Sequence, residues 1–226
     1  MTRLSSIDIY LYPDDYDNDL RNHFLFRSCY LGNLLTRHVR RLKFGSQGFT
    51  AVLVQGRKQP EKVPRISSDR NLIAHVDFDL SRYRDLEPGE HHEFFISMMT
   101  AGLEKCARHY DIPLAELLQA IDQFRAGGYK NEWIHQTKLL RGLGLRATLA
   151  CRLDSEHFTL NLVLERKGTI VFDETILDTL PDSIIFHYRF KEVVVDGTSI
   201  VVMDRLGKRL YALDANSLQP APVQSR

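Results

Sequence analysis

The chain has 226 residues, of which 43% are hydrophobic and 26% are charged, and its formal net charge is +1. These values are typical of a folded globular protein, and they exclude a disordered chain, which combines low hydrophobicity with high net charge. No apolar run approaches the roughly 20 residues that a helix needs to cross a bilayer, so we expect no membrane segment. The N-terminus lacks the pattern of a secretory signal, and we therefore expect a cytoplasmic protein.

The N-terminal part of the chain is predicted to mix strands with one helix. Alternating apolar residues are typical of a half-buried strand, and apolar residues three and four apart are typical of a helix. The inner stretch 23–33 is also compatible with a strand, because Gly32 weakens the prediction of a helix there. The predicted elements are a strand at 5–12, a helix at about 19–43, and strands at 49–55 and 71–80.

Three helices are predicted for the central segment, about residues 89–141. The first follows Pro88 and spans about 89–110. The second spans about 112–126, and the Gly127-Gly128 pair that follows is a strong helix stop. The third, 131–141, has Asn131 as its predicted N-cap.

The C-terminal part is predicted to be an antiparallel meander. Short polar turns separate stretches rich in β-branched and apolar residues, and an Asp-Gly pair at 196–197 is typical of a hairpin. The predicted strands are 145–153, 157–166, 169–175 and two or three more between 182 and 214, the first of them through His187. Helices and strands are thus segregated, which predicts an α+β fold.

We expect one domain over residues 1–215, followed by a flexible tail at 216–226. No strongly polar linker separates the blocks, although a division near residue 144 is the alternative. The three cysteines, Cys29, Cys106 and Cys151, are odd in number and lie far apart in apolar stretches. Their spacing matches no zinc motif, so we interpret them as buried thiols and predict no cofactor.

The basic residues are concentrated near the N-terminus. Ten of them and a single acidic residue lie between Leu20 and Arg65, and a cluster of Arg37, Arg40 and Arg41 falls near the end of the predicted helix. This segment either faces acidic parts of the same chain or presents a basic surface to an anionic partner. Nucleic acid is such a partner, but the segment contains no recognisable nucleic-acid-binding motif, and we do not favour it.

His75, Asp77 and Asp79 share one face of the predicted strand 71–80. The simpler interpretation is the solvent-facing side of a half-buried strand. The alternative is a metal site, in which case the chain would be a metal-assisted hydrolase or nuclease. Neighbours on one strand face lie roughly 6.5–7 Å apart, which is too far for one ion without further ligands.

The stretch from Gly127 to Lys138 has the composition of a protein interface, because aromatic side chains with polar tips stand beside charged ones. Trp133 either anchors a partner or belongs to the core of its own helix. We predict a partner-binding surface formed by Tyr129, Lys130, Glu132, Trp133 and His135, together with the arginines at 37, 40 and 41.

No catalytic motif is present, so the sequence favours a non-enzymatic protein-binding module. A bacterial inhibitor or immunity-type protein that neutralises a toxin-like partner, encoded by a neighbouring gene, is the class we expect. The metal-assisted hydrolase remains the alternative.

Overall fold

The computed structural model describes residues 2–87 and 89–218. The chain divides into two compact units, Met1–Asn131 and Glu132–Arg226. The first unit combines helices with a mixed sheet and the second unit is built of antiparallel sheets, so the fold is α+β, as predicted. Within the described residues, no helix is long and apolar enough to cross a membrane.

The first unit contains one mixed sheet and the longer helices. Its strands are β1 (Ser6–Leu11), β2 (Ala51–Arg57), β3 (Arg65–Ile66) and β4 (Asn71–Asp77). Its helices are α1 (Asn18–Leu42), α2 (Leu80–Arg84), α3 (His91–Ala107) and α4 (Leu114–Ala126). The strand order is β1-β2-β4-β3, in which β1, β2 and β4 are parallel and β3 runs antiparallel to β4.

Close contacts between glycines and strands bring the helices onto this sheet. A Cβ on Gly102 of α3 would lie only 2.6 Å from Cγ1 of Val54, so the helix approaches β2 because the glycine has no side chain. Gly32 of α1 similarly faces the backbone of Ile7 in β1. The whole stretch 18–42 is helical, and the alternative of a strand at 23–33 is wrong.

Helix α1 also covers the outer edge of β1. The Thr36 hydroxyl accepts a hydrogen bond from the Ile7 N–H at 2.9 Å and donates one to the Ile7 carbonyl at 3.1 Å. Arg40 donates to the carbonyl of Ser5 at 2.8 Å. The polar groups of Ile7 and the carbonyl of Ser5 at this edge are therefore satisfied by side chains of a helix.

The second unit is almost entirely β-structure. Its elements are β5 (Glu132–Leu140), β6 (Leu145–Leu153), β7 (Phe158–Arg166), β8 (Thr169–Thr179), the short helix α5 (Ser183–Phe186), β9 (Glu192–Asp196), β10 (Ser199–Met203) and β11 (Arg209–Asp214). One antiparallel sheet has the order β5-β6-β7-β8, and a second has the order β11-β10-β9. Alternating residues of β6 and β7, from Ala147 to Leu164, form much of the core.

The prediction of a third central helix at 131–141 is wrong. This stretch is β5, and it pairs antiparallel with β6 in a register that shifts between Ile134 and Gln136. Because this bulge inserts a residue, the alternation of a strand is interrupted, and the remaining spacing resembles that of a helix. The pairing with β6 also explains why the boundary between the units precedes β5 and does not lie near residue 144.

Two further sequence predictions concern short segments. The strand expected through His187 is wrong, because residues Ser183–Phe186 form α5 and His187 is its C-cap. The predicted tail starts with a 3-10 turn, Ala215–Ser217, whereas residues 219–226 lie outside the described part of the chain. Pro88, predicted to precede the first central helix, also lies outside it.

Candidate functional site

The residues predicted to bind a partner fall in both units. Tyr129, Lys130 and the three arginines of α1 belong to the first unit, and Glu132, Trp133 and His135 belong to the second. We therefore describe each set within its own unit.

Tyr129 and Asn131 hold the end of α4 against its own unit. The Tyr129 ring stacks on His92 at 4.5 Å, and its hydroxyl donates to Glu93 Oε1 at 2.9 Å. Asn131 is only 2% exposed, and its amide donates to the carbonyl of Tyr30 at 3.0 Å. Of Tyr129, Lys130 and Asn131, only Lys130 is exposed.

The α1 arginines have structural partners in the same unit. Arg37 donates to Asn33 and to Asn131, and Arg40 binds the β1 edge. Arg41 is exposed. Other charges of the basic segment are compensated internally, since Arg57 pairs with Asp15 at 3.2 Å.

In the second unit, Trp133 and His135 belong to an aromatic cluster. Phe158 lies at its centre and stacks on Phe186 of α5 at 3.9 Å and on Phe190 at 5.5 Å. The Trp133 ring lies 6.1 Å from that of Phe158, and His135 meets the edge of Phe190 at 4.8 Å. Trp133 is half-buried, so it supports the fold of this unit, while Glu132 is exposed.

Among the described residues, the second unit exposes eight large apolar side chains, and we call four of them, on the α5 segment and on the turn between β10 and β11, the apolar patch. The exposed fraction is 51% for Leu180, 76% for Ile184, 56% for Tyr188 and 73% for Leu206. The Arg205 N–H donates to the carbonyl of Tyr188 at 3.1 Å, which brings the turn carrying Leu206 beside the α5 segment. Exposed apolar side chains on neighbouring segments mark an interaction site more often than scattered single residues do.

Two aspartates fix the segments that carry the apolar patch. Asp182 caps α5 by accepting a hydrogen bond from the Ile184 N–H at 2.8 Å. The Asp204 carboxylate accepts from the N–H groups of Leu206 and Lys208 at 2.8 and 2.7 Å. The backbone that carries Ile184 and Leu206 is thus held by hydrogen bonds to carboxylates.

The rim of the apolar patch is basic. Arg189, Arg205 and Lys208 are exposed, and within the described residues none of them has a carboxylate within 4.0 Å. By contrast, the neighbouring Arg209 forms an ion pair with Asp196. An apolar centre with unpaired cations around it is complementary to a partner surface that is apolar at its centre and acidic at its edge.

Sequence reasoning missed all four residues of the apolar patch. Alternation across 184–190 predicted a strand, in which half of these side chains would be buried. The signal that identifies the patch is local: Asp182 is a helix cap two residues before Ile184 and Ile185, and Asp204 precedes a turn that carries Leu206.

The three residues of the predicted metal site, His75, Asp77 and Asp79, lie in different environments. His75 is 2% exposed, whereas Asp77 is exposed, and Asp79 follows the end of β4 and caps α2 through the Arg82 N–H at 2.9 Å. Throughout residues 2–87 and 89–218, no three His, Cys, Asp or Glu side chains are grouped so that they could hold a metal ion.

The three thiols carry no disulfide in the described chain. Cys106 and Cys151 are buried, as expected, and burial raises the pKa of Cys106 to about 12. Such a thiol is a poor nucleophile at neutral pH.

No protein-family model matches the sequence, and searches of curated proteins and of solved structures also found no match. Functional reasoning therefore depends on the geometry of this chain alone.

Proposed function

We propose that this chain is a non-enzymatic protein-binding module that docks a partner protein through the apolar patch of its second unit. The proposal depends on the exposure of Leu180, Ile184, Tyr188 and Leu206, which lie on the α5 segment and on a turn that is hydrogen-bonded to it. Removing such side chains from water is the main favourable contribution to protein association. The basic rim adds selectivity for an acidic partner.

The class that we propose is an inhibitor or immunity-type protein, which neutralises its partner by covering it. A protein with this role needs an ordered, exposed surface, and it needs no catalytic groups. The backbone hydrogen bonds that Asp182 and Asp204 accept support the first requirement. No structural observation favours the metal-assisted hydrolase, and we do not propose it.

The test begins with a photo-reactive amino acid placed at position 184. We expect irradiation in cells to link the chain to one partner protein, because Ile184 lies in the apolar patch. The matched control is the same amino acid at position 139, since Leu139 is 59% exposed in the same unit but lies on β5. Equal adducts from both positions, or none from position 184, would contradict the proposal.

Affinity measurements with that partner then test the energetics. Ile184→Asp and Leu206→Asp should each weaken binding by about thirtyfold or more, the effect typical of an interface hot spot. Leu139→Asp should leave the Kd unchanged. If the partner is an enzyme or toxin, its inhibition should fall in parallel with binding.

A further inference from the structure

In the first unit, an arginine of α1 contacts a histidine at the start of α3. The Arg27 Nη2 group lies 2.9 Å from His91 Nδ1 and also contacts Nε2 of the same ring. Both side chains are half-buried. Within the described residues, no carboxylate lies within 4.0 Å of the Arg27 guanidinium, so its polar partner on α3 is the imidazole.

Arg27 and His91 can form this hydrogen bond only while His91 is neutral. A guanidinium is always charged, and it donates hydrogen bonds but accepts none. A neutral imidazole keeps one nitrogen that accepts, whereas an imidazolium carries a hydrogen on both nitrogens. Protonation of His91 therefore replaces a hydrogen bond by two cations in direct contact, which repel each other.

The surroundings of His91 disfavour its protonation. Burial lowers the pKa of the ring most, and the charge of Arg27 lowers it further. His92 and His23 act in the same direction, whereas Glu90 raises the pKa. His91 is also the first residue of α3, where the positive end of the helix dipole makes a further cation unfavourable.

Because folding lowers the pKa of His91, its contribution to stability depends on pH. The contribution is fully present above about pH 6.5, the ordinary pKa of histidine, and it is lost as the pH falls from there through the folded pKa. The contact between Arg27 and His91 is thus formed at neutral pH and weakened in mild acid.

The α2 segment, residues 80–87, contacts α1 beside the same arginine. The Tyr83 hydroxyl lies 2.9 Å from His23 Nδ1, and the guanidinium carbon of Arg27 lies 5.9 Å from the centre of the Tyr83 ring. The contact between His23 and Tyr83 survives protonation, because a hydroxyl can either donate or accept a hydrogen bond. Mild acid therefore acts on the contact at His91.

Tyr83 covers phenylalanine rings of the core. It is 3% exposed, and its ring lies 5.8 Å from that of Phe24, 5.3 Å from that of Phe78 and 5.6 Å from that of Phe94. Displacement of the α2 segment would therefore uncover aromatic surface that is buried at neutral pH.

We propose that the contact between Arg27 and His91 is a latch that opens in mild acid. Protonation of His91 breaks the hydrogen bond, and the repulsion that follows separates the start of α3 and the α2 segment from α1. The latch lies in the first unit, and it is independent of the protein-binding function proposed for the second unit.

Amide hydrogen exchange of the full chain at about pH 7.5 and about pH 5 tests the proposal. The probes are the amides of Tyr83, Asp85 and Phe94, which form backbone hydrogen bonds in the α2 segment and the first turn of α3. After correction for the intrinsic rate, their protection should fall by about tenfold in acid, the effect of one unit of pKa.

The amides of β2 are the reference for this experiment. His38 and His75, whose pKa values burial also lowers, can weaken the whole first unit in acid. The protection of β2 should nevertheless fall less than that of the α2 segment, because local opening leaves the sheet intact. An equal fall in both would mean that acid opens the whole unit, and it would overturn the proposal.

Two substitutions at position 91 imitate the two charge states. His91→Gln keeps an acceptor for Arg27 but cannot be protonated, so the α2 segment should stay protected at about pH 5. His91→Lys carries a permanent cation, so protection should already be lost at about pH 7.5. Ser97→Lys is the matched control, because Ser97 is an exposed residue of the same helix. An undiminished fall in His91→Gln, or an equal effect of Ser97→Lys, would contradict the latch.

NMR titration of the His91 ring in the wild-type chain does not depend on the folding of a variant. We expect a pKa below about 6.5, and the loss of protection in the α2 segment should follow the same titration curve. A His91 that titrates at or above the ordinary value would overturn the proposal, since its protonation would then cost the folded chain nothing.

Discussion

Gly102 determines how closely α3 packs on the first sheet. An alanine there would place its Cβ 2.6 Å from Cγ1 of Val54, well inside contact distance. We expect Gly102→Ala to lower the free energy of unfolding by about 1–3 kcal/mol through overpacking, measured by urea denaturation.

Two companion variants make this prediction specific. Val54→Ala removes the clashing methyl groups, so the double variant should lose less stability than the sum of the single variants. Gly142→Ala is the control, because a Cβ at Gly142 meets no atom within 4 Å. A large loss in the control would show that the clash at Val54 is not the cause.

Asn131 is a buried polar residue that the sequence placed at a helix start. Its amide binds the Tyr30 carbonyl and the Asn33 side chain, and Arg37 donates to its oxygen. Asn131→Leu removes these hydrogen bonds from a buried position, and we expect a loss of about 1–3 kcal/mol in the free energy of unfolding. Lys130→Ala, an exposed neighbour, should change stability little, and an equal effect of both would contradict the argument.

At the scale of an element, β7 and β8 are joined at one end by a histidine–aspartate pair. His157 Nδ1 lies 2.8 Å from Asp178 Oδ1, and this hydrogen bond raises the pKa of His157 above its ordinary value. Because the pKa is raised in the folded state, the stabilisation is complete below about pH 6.5 and disappears as the pH rises through the folded pKa.

An NMR titration of His157 measures this effect. We expect a pKa above the ordinary histidine value in the wild-type chain, falling towards that value in Asp178→Asn. Since both side chains are 56% exposed, the effect on global stability is small and the titration is the sensitive measurement. An unchanged pKa in Asp178→Asn would show that another group holds the proton.

Most elements could be predicted because their apolar period is regular. β1, β6 and β7 alternate over their whole length, and the core stripes of α3 and α4 follow the helical period. β5 was missed because its bulge interrupts the alternation of apolar residues. Its pairing with β6 also cannot be predicted from the periodicity of a short stretch of sequence.

The candidate site was predicted only in part, for a related reason. Composition identified Trp133 and His135. These rings, however, pack on Phe158 and Phe190 in the aromatic cluster. Whether an apolar residue such as Ile184 is buried depends on tertiary packing around it. Local sequence therefore did not indicate the four side chains of the apolar patch.

For the whole molecule, the unfolding of each compact unit can be measured by a different spectroscopic signal. The long helices, α1, α3 and α4, all belong to the first unit, while the single tryptophan, Trp133, belongs to the second. Circular dichroism at the helix band therefore reports mainly on the first unit, and tryptophan fluorescence reports on the second.

We expect Gly102→Ala to shift the unfolding midpoint seen by circular dichroism and to leave the fluorescence midpoint unchanged. The reason is that the clash lies inside the first unit. If both midpoints shift together, the chain unfolds as one cooperative domain, which was the expectation from the sequence.

The hydrogen bonds between Thr36 and β1 hinder the pairing of a further strand with the outer edge of the first sheet. An outer strand with free amide and carbonyl groups is a template on which another extended chain can assemble. The Thr36 hydroxyl forms the hydrogen bonds to Ile7 that the backbone of a neighbouring strand would form. The Arg40 guanidinium likewise donates to the Ser5 carbonyl. A helix thus occupies the place of a further strand, and growth of the sheet into a polymer is blocked on that side.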